Sequence, residues 1–271
     1  MLLLLKALVM GVVEGLTEFL PVSSTAHLIL AGEVLNYPEA GRVTMEIFIQ
    51  VGAILAVVWY YRAELTALAT QAGRDPAARA LPLKLLVAFV PAAVAGLLLH
   101  HAIEEHLFTP ASVAAALILG GIVILVVEAR HPQARTNDVM AIGWRESLLI
   151  GLAQVTSLVP GVSRAGATII GGLLVGLGRP AATQFSFYLA IPTVGAASVY
   201  SLAQAVHHGL LTADDASALA VGLVAAFVSA LVVIQAFLAY VRRHDFTVFA
   251  YYRIAVGILV YMVLGAAVLR R

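Results

Sequence analysis

Long apolar stretches with few polar interruptions run through most of this chain. A helix needs about 20 mostly apolar residues to cross the hydrocarbon of a bilayer. Six stretches meet that length: about Val43–Tyr61, Leu81–Leu99, Ala111–Val127, Ala181–Leu202, Ala216–Tyr240 and Phe246–Leu269. Two regions break the pattern. Leu2–Leu35 is interrupted at Pro21 and carries Glu14, Glu18 and His27. Ser147–Leu177 is interrupted at Pro160 and carries Arg164. A proline inside a helix removes a donor and clashes with the preceding turn, so each region divides into halves of about a dozen residues, too short to cross alone. Broken helices at membrane depth persist only where protein or a water-filled cavity surrounds them. Both regions are therefore expected to be re-entrant helical hairpins.

The pattern recurs along the chain. Gly11-Val-Val-Glu14 matches Gly151-Leu-Ala-Gln154, and Ile49-Gln-Val-Gly-Ala53 matches Pro192-Thr-Val-Gly-Ala196. Val87-Ala-Phe-Val-Pro91 matches Ala225-Ala-Phe-Val-Ser229, and His106-Leu-Phe-Thr109 matches His244-Asp-Phe-Thr247, all at offsets near 140 residues. The expected architecture is an all-α polytopic membrane protein forming a single integral membrane domain over 1–271. Repeat 1 covers about 1–135 and repeat 2 about 140–271, each one hairpin plus three transmembrane helices. Three spans per half invert the second half, and an inverted-topology repeat places its site near mid-membrane between the broken segments. Loop charge gives an orientation. Arg62, Arg74, Arg79, Lys84, Arg130, Arg135, Arg145, Arg179, Arg242 and Arg243 share one side; Lys6, Arg42, Arg270 and Arg271 share the other. By the positive-inside rule the ten-residue side is cytoplasmic. Both termini are then expected outside, with the active site opening to the outer, periplasmic face.

Composition agrees with this reading. The chain is 62% hydrophobic and 11% charged, against about half and a quarter in soluble domains. A net charge of +1 supplies no field for nucleic acid. The absence of cysteine excludes disulfides, thiolate metal sites and a cysteine nucleophile. Met1–Met10 is Leu-rich like a signal-peptide core but runs directly into Glu14 and Glu18, so it reads as mature structure.

Ionisable residues inside a membrane segment are functional candidates. Glu14 and Glu18, four apart, share a helix face, which calls for a cation between them or a proton on one. After Pro21 the next half-helix opens at Ser23 and Ser24, and one of these serines is expected to cap it. His27 follows Ser24 by three residues, giving a nucleophile–base pattern. In the second segment Ser163-Arg164 opens a half-helix, with Thr168 on the face of Arg164. Arg164 suits a phosphate group or an ion pair with Glu14 or Glu18. Two helix N-termini add free amides for an anion. Together these groups fit a phosphate ester or anhydride better than a carboxylate. The stretch His100-His101 to His106, with Glu104 and Glu105, reads as a solvated outer loop, since its spacing matches no strong metal motif.

The segments Glu14-Gly-Leu-Thr-Glu-Phe-Leu-Pro-Val-Ser-Ser-Thr-Ala-His27 and Pro160-Gly-Val-Ser-Arg-Ala-Gly-Ala-Thr168 resemble the two signatures of the undecaprenyl-diphosphate phosphatase family, the bacitracin-resistance proteins. The family pattern has Gly at the position of Ala26 and often Ser at that of Ala165; Glu46 and Gln50 also match. The resemblance implies an inner-membrane phosphatase that converts undecaprenyl diphosphate to undecaprenyl phosphate and inorganic phosphate, recycling the lipid carrier of cell-wall synthesis and conferring bacitracin resistance. It implies Glu18, Ser24, His27 and Arg164 as catalytic residues, with Ser23, Ser163, Thr168 and Gln50 binding substrate. It also implies a divalent cation, Mg²⁺ or Ca²⁺, at Glu14 and Glu18. The expected partners are the polyprenyl diphosphate, membrane lipid and a second copy of the chain in a homodimer. Two nucleophiles stay open: Ser24 with His27 as base, or a metal-bound water. An alternative function is a flippase or transporter of a phosphorylated polyprenyl lipid, because broken helices in inverted repeats also build transporters.

Overall fold

The computed structural model describes residues 1–130, 133–207 and 216–262, with side chains placed for all of these except residues 39, 40, 43, 100 and 104. The described chain is helical throughout: α1 Leu2–Thr17, α2 Ser24–Leu35, α3 Glu39–Tyr60, α4 Arg62–Gln71, α5 Pro76–Leu107, α6 Pro110–Ala129, α7 Trp144–Val155, α8 Arg164–Leu174, α9 Arg179–His207, α10 Ala216–Val241 and α11 Thr247–Val260. Among the described residues there is no strand, only an isolated bridge between Thr136 and Leu177.

Four helical stretches are long and apolar enough to cross a membrane: Pro76–Leu99 within α5, then α6, α9 and α10. A fifth span is formed if α3 and α4, which meet at a 66° bend, count together. These correspond to five of the six expected spans. Of the sixth, Phe246–Leu269, residues 247–260 form α11, and the stretch beyond 262 lies outside the described residues. Large apolar side chains such as Leu98, Val199, Val228 and Val232 are exposed on the outer faces of the span helices, as lipid-facing positions require.

The bend at Tyr61 has no counterpart in the apolar pattern, which ends the third helix there and assigns nothing to the polar stretch after it. Tyr188 of α9 donates its hydroxyl to Glu64 of α4, and Gln184 donates to the same carboxylate at 3.0 Å. Tyr61 meets Tyr188 edge-on with centroids 4.8 Å apart. These contacts lay α4 against the end of α9 instead of letting α3 continue straight.

Both interrupted segments are broken where their prolines predict. The first gives 16- and 12-residue helices, α1 and α2. The second gives 12- and 11-residue helices, α7 and α8, with a 3₁₀ turn at Thr156–Leu158 between them. At 1.5 Å per residue, a 12-residue helix reaches only about 18 Å, short of the ~30 Å hydrocarbon core. Glycines let these short helices dock closely. A Cβ on Gly11 would lie 2.2 Å from the Gly222 carbonyl of α10, and one on Gly151 would lie 2.4 Å from the Ala88 carbonyl of α5. So α1 is pressed onto α10 and α7 onto α5, with backbone against backbone.

The histidine-rich stretch is the end of α5 rather than a loop: helix continues to Leu107. The side chains of His100 and Glu104 lie outside the described residues. His106 is exposed and its Nδ1–H donates to the Ala102 carbonyl at 3.1 Å.

Candidate active site

The two breaks meet. Where they meet is a cavity of about 170 Å³ lined from the first break by Glu18, Ser23, Ser24 and Thr25, and from the second by Pro160, Gly161, Ser163 and Arg164. Gln50 of α3 and Thr193 of α9 also line it. The volume is well above the roughly 10–15 Å³ that one water needs.

Glu18 sits at the C-terminal end of α1 and is 9% exposed. Its Oε2 accepts from Ser24 Oγ at 2.7 Å, and its Oε1 accepts from Arg164 Nη2 at 2.9 Å. One carboxylate thus bridges the hydroxyl of one break and the guanidinium of the other. Arg164 also donates from Nη1 to the Ser186 carbonyl at 2.9 Å, and its guanidinium lies 5.8 Å from the Phe19 ring centre. Arg164 Nε, although buried, has no partner. A guanidinium with a spare donor at a polar cavity is suited to an incoming phosphoryl oxygen.

The backbone at both breaks is unusual. Ser23 has φ 71° and Ser163 has φ 74°, a region that L-residues other than Gly, Asn and Asp seldom occupy. Each residue immediately precedes a helix. Ser163 caps α8 by accepting from Gly166 N at 3.0 Å. The expected serine cap on α2 is absent: Ser23 occupies the N-cap position without a side-chain bond, and the Ser24 hydroxyl is turned to Glu18. Ser24 is the first residue of the helix rather than its cap, and its hydroxyl donates to the carboxylate. The first amides of α2 are left without a side-chain acceptor, beside the cavity. Of the two helix N-termini expected to receive an anion, one is open in this way and the other is capped.

No hydrogen bond joins His27 to Ser24. His27 Nδ1 lies 2.7 Å from the Ser23 carbonyl, and Nε2 lies 2.7 Å from the Tyr252 hydroxyl of α11. A carbonyl only accepts, so Nδ1 carries a proton, and in the neutral ring Nε2 accepts from Tyr252. The two rings stack with an interplanar angle of 3°. Both ring nitrogens are occupied, and His27 does not line the cavity. Thr168 is fully buried and also stands off the cavity. Its hydroxyl donates to the Arg164 carbonyl at 2.9 Å and lies 2.7 Å from Ser186 Oγ, so it supports the residue that holds Arg164. Ser23, Ser163 and Gln50 do reach the cavity.

Glu14 is wholly buried, and both of its carboxylate oxygens lack a hydrogen-bond partner. One turn from Glu18, it offers two hard oxygen donors. Magnesium is commonly held by one or two carboxylates, with waters and substrate phosphate completing its shell. The two carboxylates are oxygen donors of the kind such an ion takes. But Glu14 does not line the cavity, and both Glu18 oxygens are engaged by Ser24 and Arg164. No group of three His, Asp or Glu side chains is placed to hold a metal among the described residues.

Three contributors are not singled out as site residues by the sequence, although Thr193 is the repeat counterpart of Gln50. Ser186 and Thr193 are small polar residues inside an apolar span, and Tyr252 reads as one more interfacial aromatic.

A sequence model of the family described as "Bacitracin resistance protein BacA" matches residues 7–259. The chain belongs to the BacA family. It is 54% identical to the undecaprenyl-diphosphatase of Dechloromonas aromatica (strain RCB) over 259 residues, 96% of this chain and 94% of that protein. It is 51% identical over 261 residues to undecaprenyl-diphosphatase 2 of Rhodospirillum rubrum, covering 96% of this chain and 94% of the relative. The undecaprenyl-diphosphatase of Nitrosospira multiformis is 50% identical over 258 residues, with 95% and 94% coverage. Every cavity residue named above falls within the stretch matched to the BacA family.

Proposed function

We propose that this chain is an integral membrane phosphatase that hydrolyses undecaprenyl diphosphate to undecaprenyl phosphate and inorganic phosphate, and so recycles the lipid carrier of cell-wall synthesis. Family membership and the names of its relatives support the reaction. The observation that carries the assignment to this site is the Ser24–Glu18–Arg164 bridge at the cavity where both breaks meet.

The mechanism runs from those contacts. The terminal phosphate enters the cavity and takes the guanidinium of Arg164, displacing Glu18 from it. The phosphoryl oxygens are also received by the open amides of α2. Glu18 then faces Ser24 alone and takes its proton as Ser24 Oγ bonds to the terminal phosphorus. The phosphorus–oxygen bond of the anhydride breaks, and undecaprenyl phosphate leaves with the bond's electron pair. Glu18 passes the Ser24 proton to the departing undecaprenyl phosphate. Ionised again, it takes a proton from a water whose oxygen bonds to the phosphorus of the phosphoserine. The phosphorus–Oγ bond breaks, that proton returns to Ser24 Oγ, and inorganic phosphate leaves. His27 positions Ser23 rather than serving as the base. Glu14, with Glu18, would hold a divalent cation, whose chemistry when bound is to neutralise charge on the diphosphate.

The inverted repeat is part of the same reading. Three features support it: the paired positive φ values at Ser23 and Ser163; the exchanged packing, α1 on α10 and α7 on α5; and the repeat-equivalent Gln50 and Thr193 both lining one cavity. With the arginine-rich loops cytoplasmic, the termini and the mouth of the cavity are external, and the two broken segments are re-entrant.

Phosphate release by purified protein tests the function. Wild type should release phosphate, while Ser24→Ala and Arg164→Ala should lose activity by more than about 1,000-fold. Brief incubation followed by acid quenching should trap phosphate on Ser24. A Ser24→Ala protein with wild-type turnover would replace the serine with a water nucleophile. A stable wild type that releases nothing from any prenyl diphosphate would remove the reaction.

A further inference from the structure

Arg253 is the largest fully buried side chain among the described residues, 1% exposed in α11. Among the described ion pairs none includes it. A guanidinium at membrane depth without an anion is costly and needs its donors satisfied. All its partners are backbone carbonyls. Nε donates to Leu117 O at 3.3 Å and Nη2 to Ala116 O at 3.1 Å, both in α6. Nη1 donates to Pro21 O at 3.1 Å, and Nη2 also donates to Gly161 O at 3.0 Å. Pro21 and Gly161 are the two breaks. Neither carbonyl accepts from a backbone amide in the described loops, since each lies where its helix has stopped.

We infer that Arg253 is a positioning residue that clamps both helix breaks to α6, and thereby fixes Ser24 and Glu18 of one segment against Arg164 of the other. One planar group with five fixed donors suits this task. A lysine presents three donors from one atom and cannot span the same carbonyls. The space for the clamp is kept by a residue on α6: a Cβ on Gly120 would lie 2.1 Å from Arg253 Nη2. The preceding residue on α11, Tyr252, bonds His27, which holds the Ser23 carbonyl. The first break is thus held from α11 at Pro21 directly and at Ser23 through His27. The catalytic consequence rests on the proposed reaction; the clamp itself does not.

The test reads both consequences separately in Arg253→Met, Arg253→Lys and Gly120→Ala. Gly120→Ala keeps the arginine and α11 intact and crowds only the guanidinium. Amide hydrogen exchange by mass spectrometry should quicken by at least about tenfold in the peptides covering 18–23 and 159–163 together, with α3 and α10 unchanged. Turnover of undecaprenyl diphosphate should fall about 100-fold, carried by kcat with KM nearly constant, because the reacting groups are misplaced while substrate binding persists. Lysine should recover less than a tenth of the lost rate. If Arg253→Met does not fold, Gly120→Ala carries the same readings. Loosening of one break alone, or of neither, overturns the clamp. Loosening of both in a protein whose wild type hydrolyses nothing leaves the clamp standing and overturns the proposed reaction instead.

Discussion

Cutting the Arg164–Glu18 link by Arg164→Met should destabilise the protein strongly, and adding Glu18→Gln should restore most of the loss. The two charged side chains are 10% and 9% exposed with N and O 2.9 Å apart. At an effective dielectric constant of about 20 their gross attraction is about 6 kcal/mol. Desolvating each ion costs several kcal/mol, so the intact pair contributes little net stability. Removing one partner is different, because it leaves the other charge buried and uncompensated. Arg164→Met also strips the Ser186 carbonyl of its charged donor. The expected loss is about 3–5 kcal/mol. In the double variant neither charge remains, the new glutamine amide can still accept from Ser24, and the net loss should shrink to about 1–2 kcal/mol.

Detergent-solubilised protein unfolded by heat or by a titrated denaturing detergent provides the assay. The double-mutant cycle should give a coupling energy of at least about 2 kcal/mol. Hydrolysis should be lost in both single variants and in the double, since a restored fold does not restore the phosphate-binding cation or the acceptor for the Ser24 proton. Additive losses across the cycle would show that the two groups do not share a charge balance, and the resting bridge would be wrong. A double variant that recovers hydrolysis along with stability would refute the roles given to Glu18 and Arg164.

His27→Asn, whose amide can still donate to the Ser23 carbonyl, should keep activity within about tenfold of wild type, while His27→Ala should lose about 100-fold; equal losses in steady-state assays would return the histidine to acid–base chemistry. Gly11→Val, whose Cβ has only 2.2 Å to the Gly222 carbonyl, should prevent α1 from docking on α10 and lower the yield of folded protein in size-exclusion chromatography, whereas Gly73→Ala, with open space around its Cβ position, should not. Chelation should suppress hydrolysis reversibly, and Glu14→Gln should raise the Mg²⁺ or Ca²⁺ concentration for half-maximal rate at least about tenfold; an unchanged titration would remove Glu14 from the cation site.

The helix breaks are legible in the sequence because their signal is local. Pro21 and Pro160 lie at the breaks, whereas Pro82, Pro91 and Pro192 sit inside the continuous α5 and α9. What sets the first two apart is the polar, serine-bearing sequence that follows each of them. The apolar stretches between loops declare their lengths directly. Glu14, Glu18 and Arg164 stand out because charge inside an apolar segment is costly. The wiring between them is not legible, since it depends on distances between segments about 140 residues apart. Spacing places His27 near Ser24, yet spacing cannot say which acceptor a hydroxyl prefers. Glu18 takes the Ser24 proton from one side, and Tyr252, 225 residues away in the chain, occupies His27 from the other. The bend at Tyr61 escapes for the same reason: it is imposed by Tyr188 and Gln184 of a distant helix.

Ser24 and Arg164 are each the first residue of a short helix, and each follows a serine with positive φ. On the inverted-repeat reading they are the same position in the two halves. The symmetric device is therefore a strained residue, then a helix start aimed at the midline; only its first side chain differs. Two serines there would leave no cation for phosphate, and two arginines would leave no nucleophile and an uncompensated double charge at membrane depth. The neighbouring positions diverge in the same sense. Glu18 corresponds at the 140-residue offset to Leu158, and Glu14 to Gln154, so both acids lie in the half that carries the hydroxyl. On the proposed mechanism, one half would supply the attacking group and the acceptor of its proton, and the other the charge that draws the phosphate to it. On that reading the halves share a backbone device and differ in chemistry, and Glu18 joins the hydroxyl of one to the guanidinium of the other.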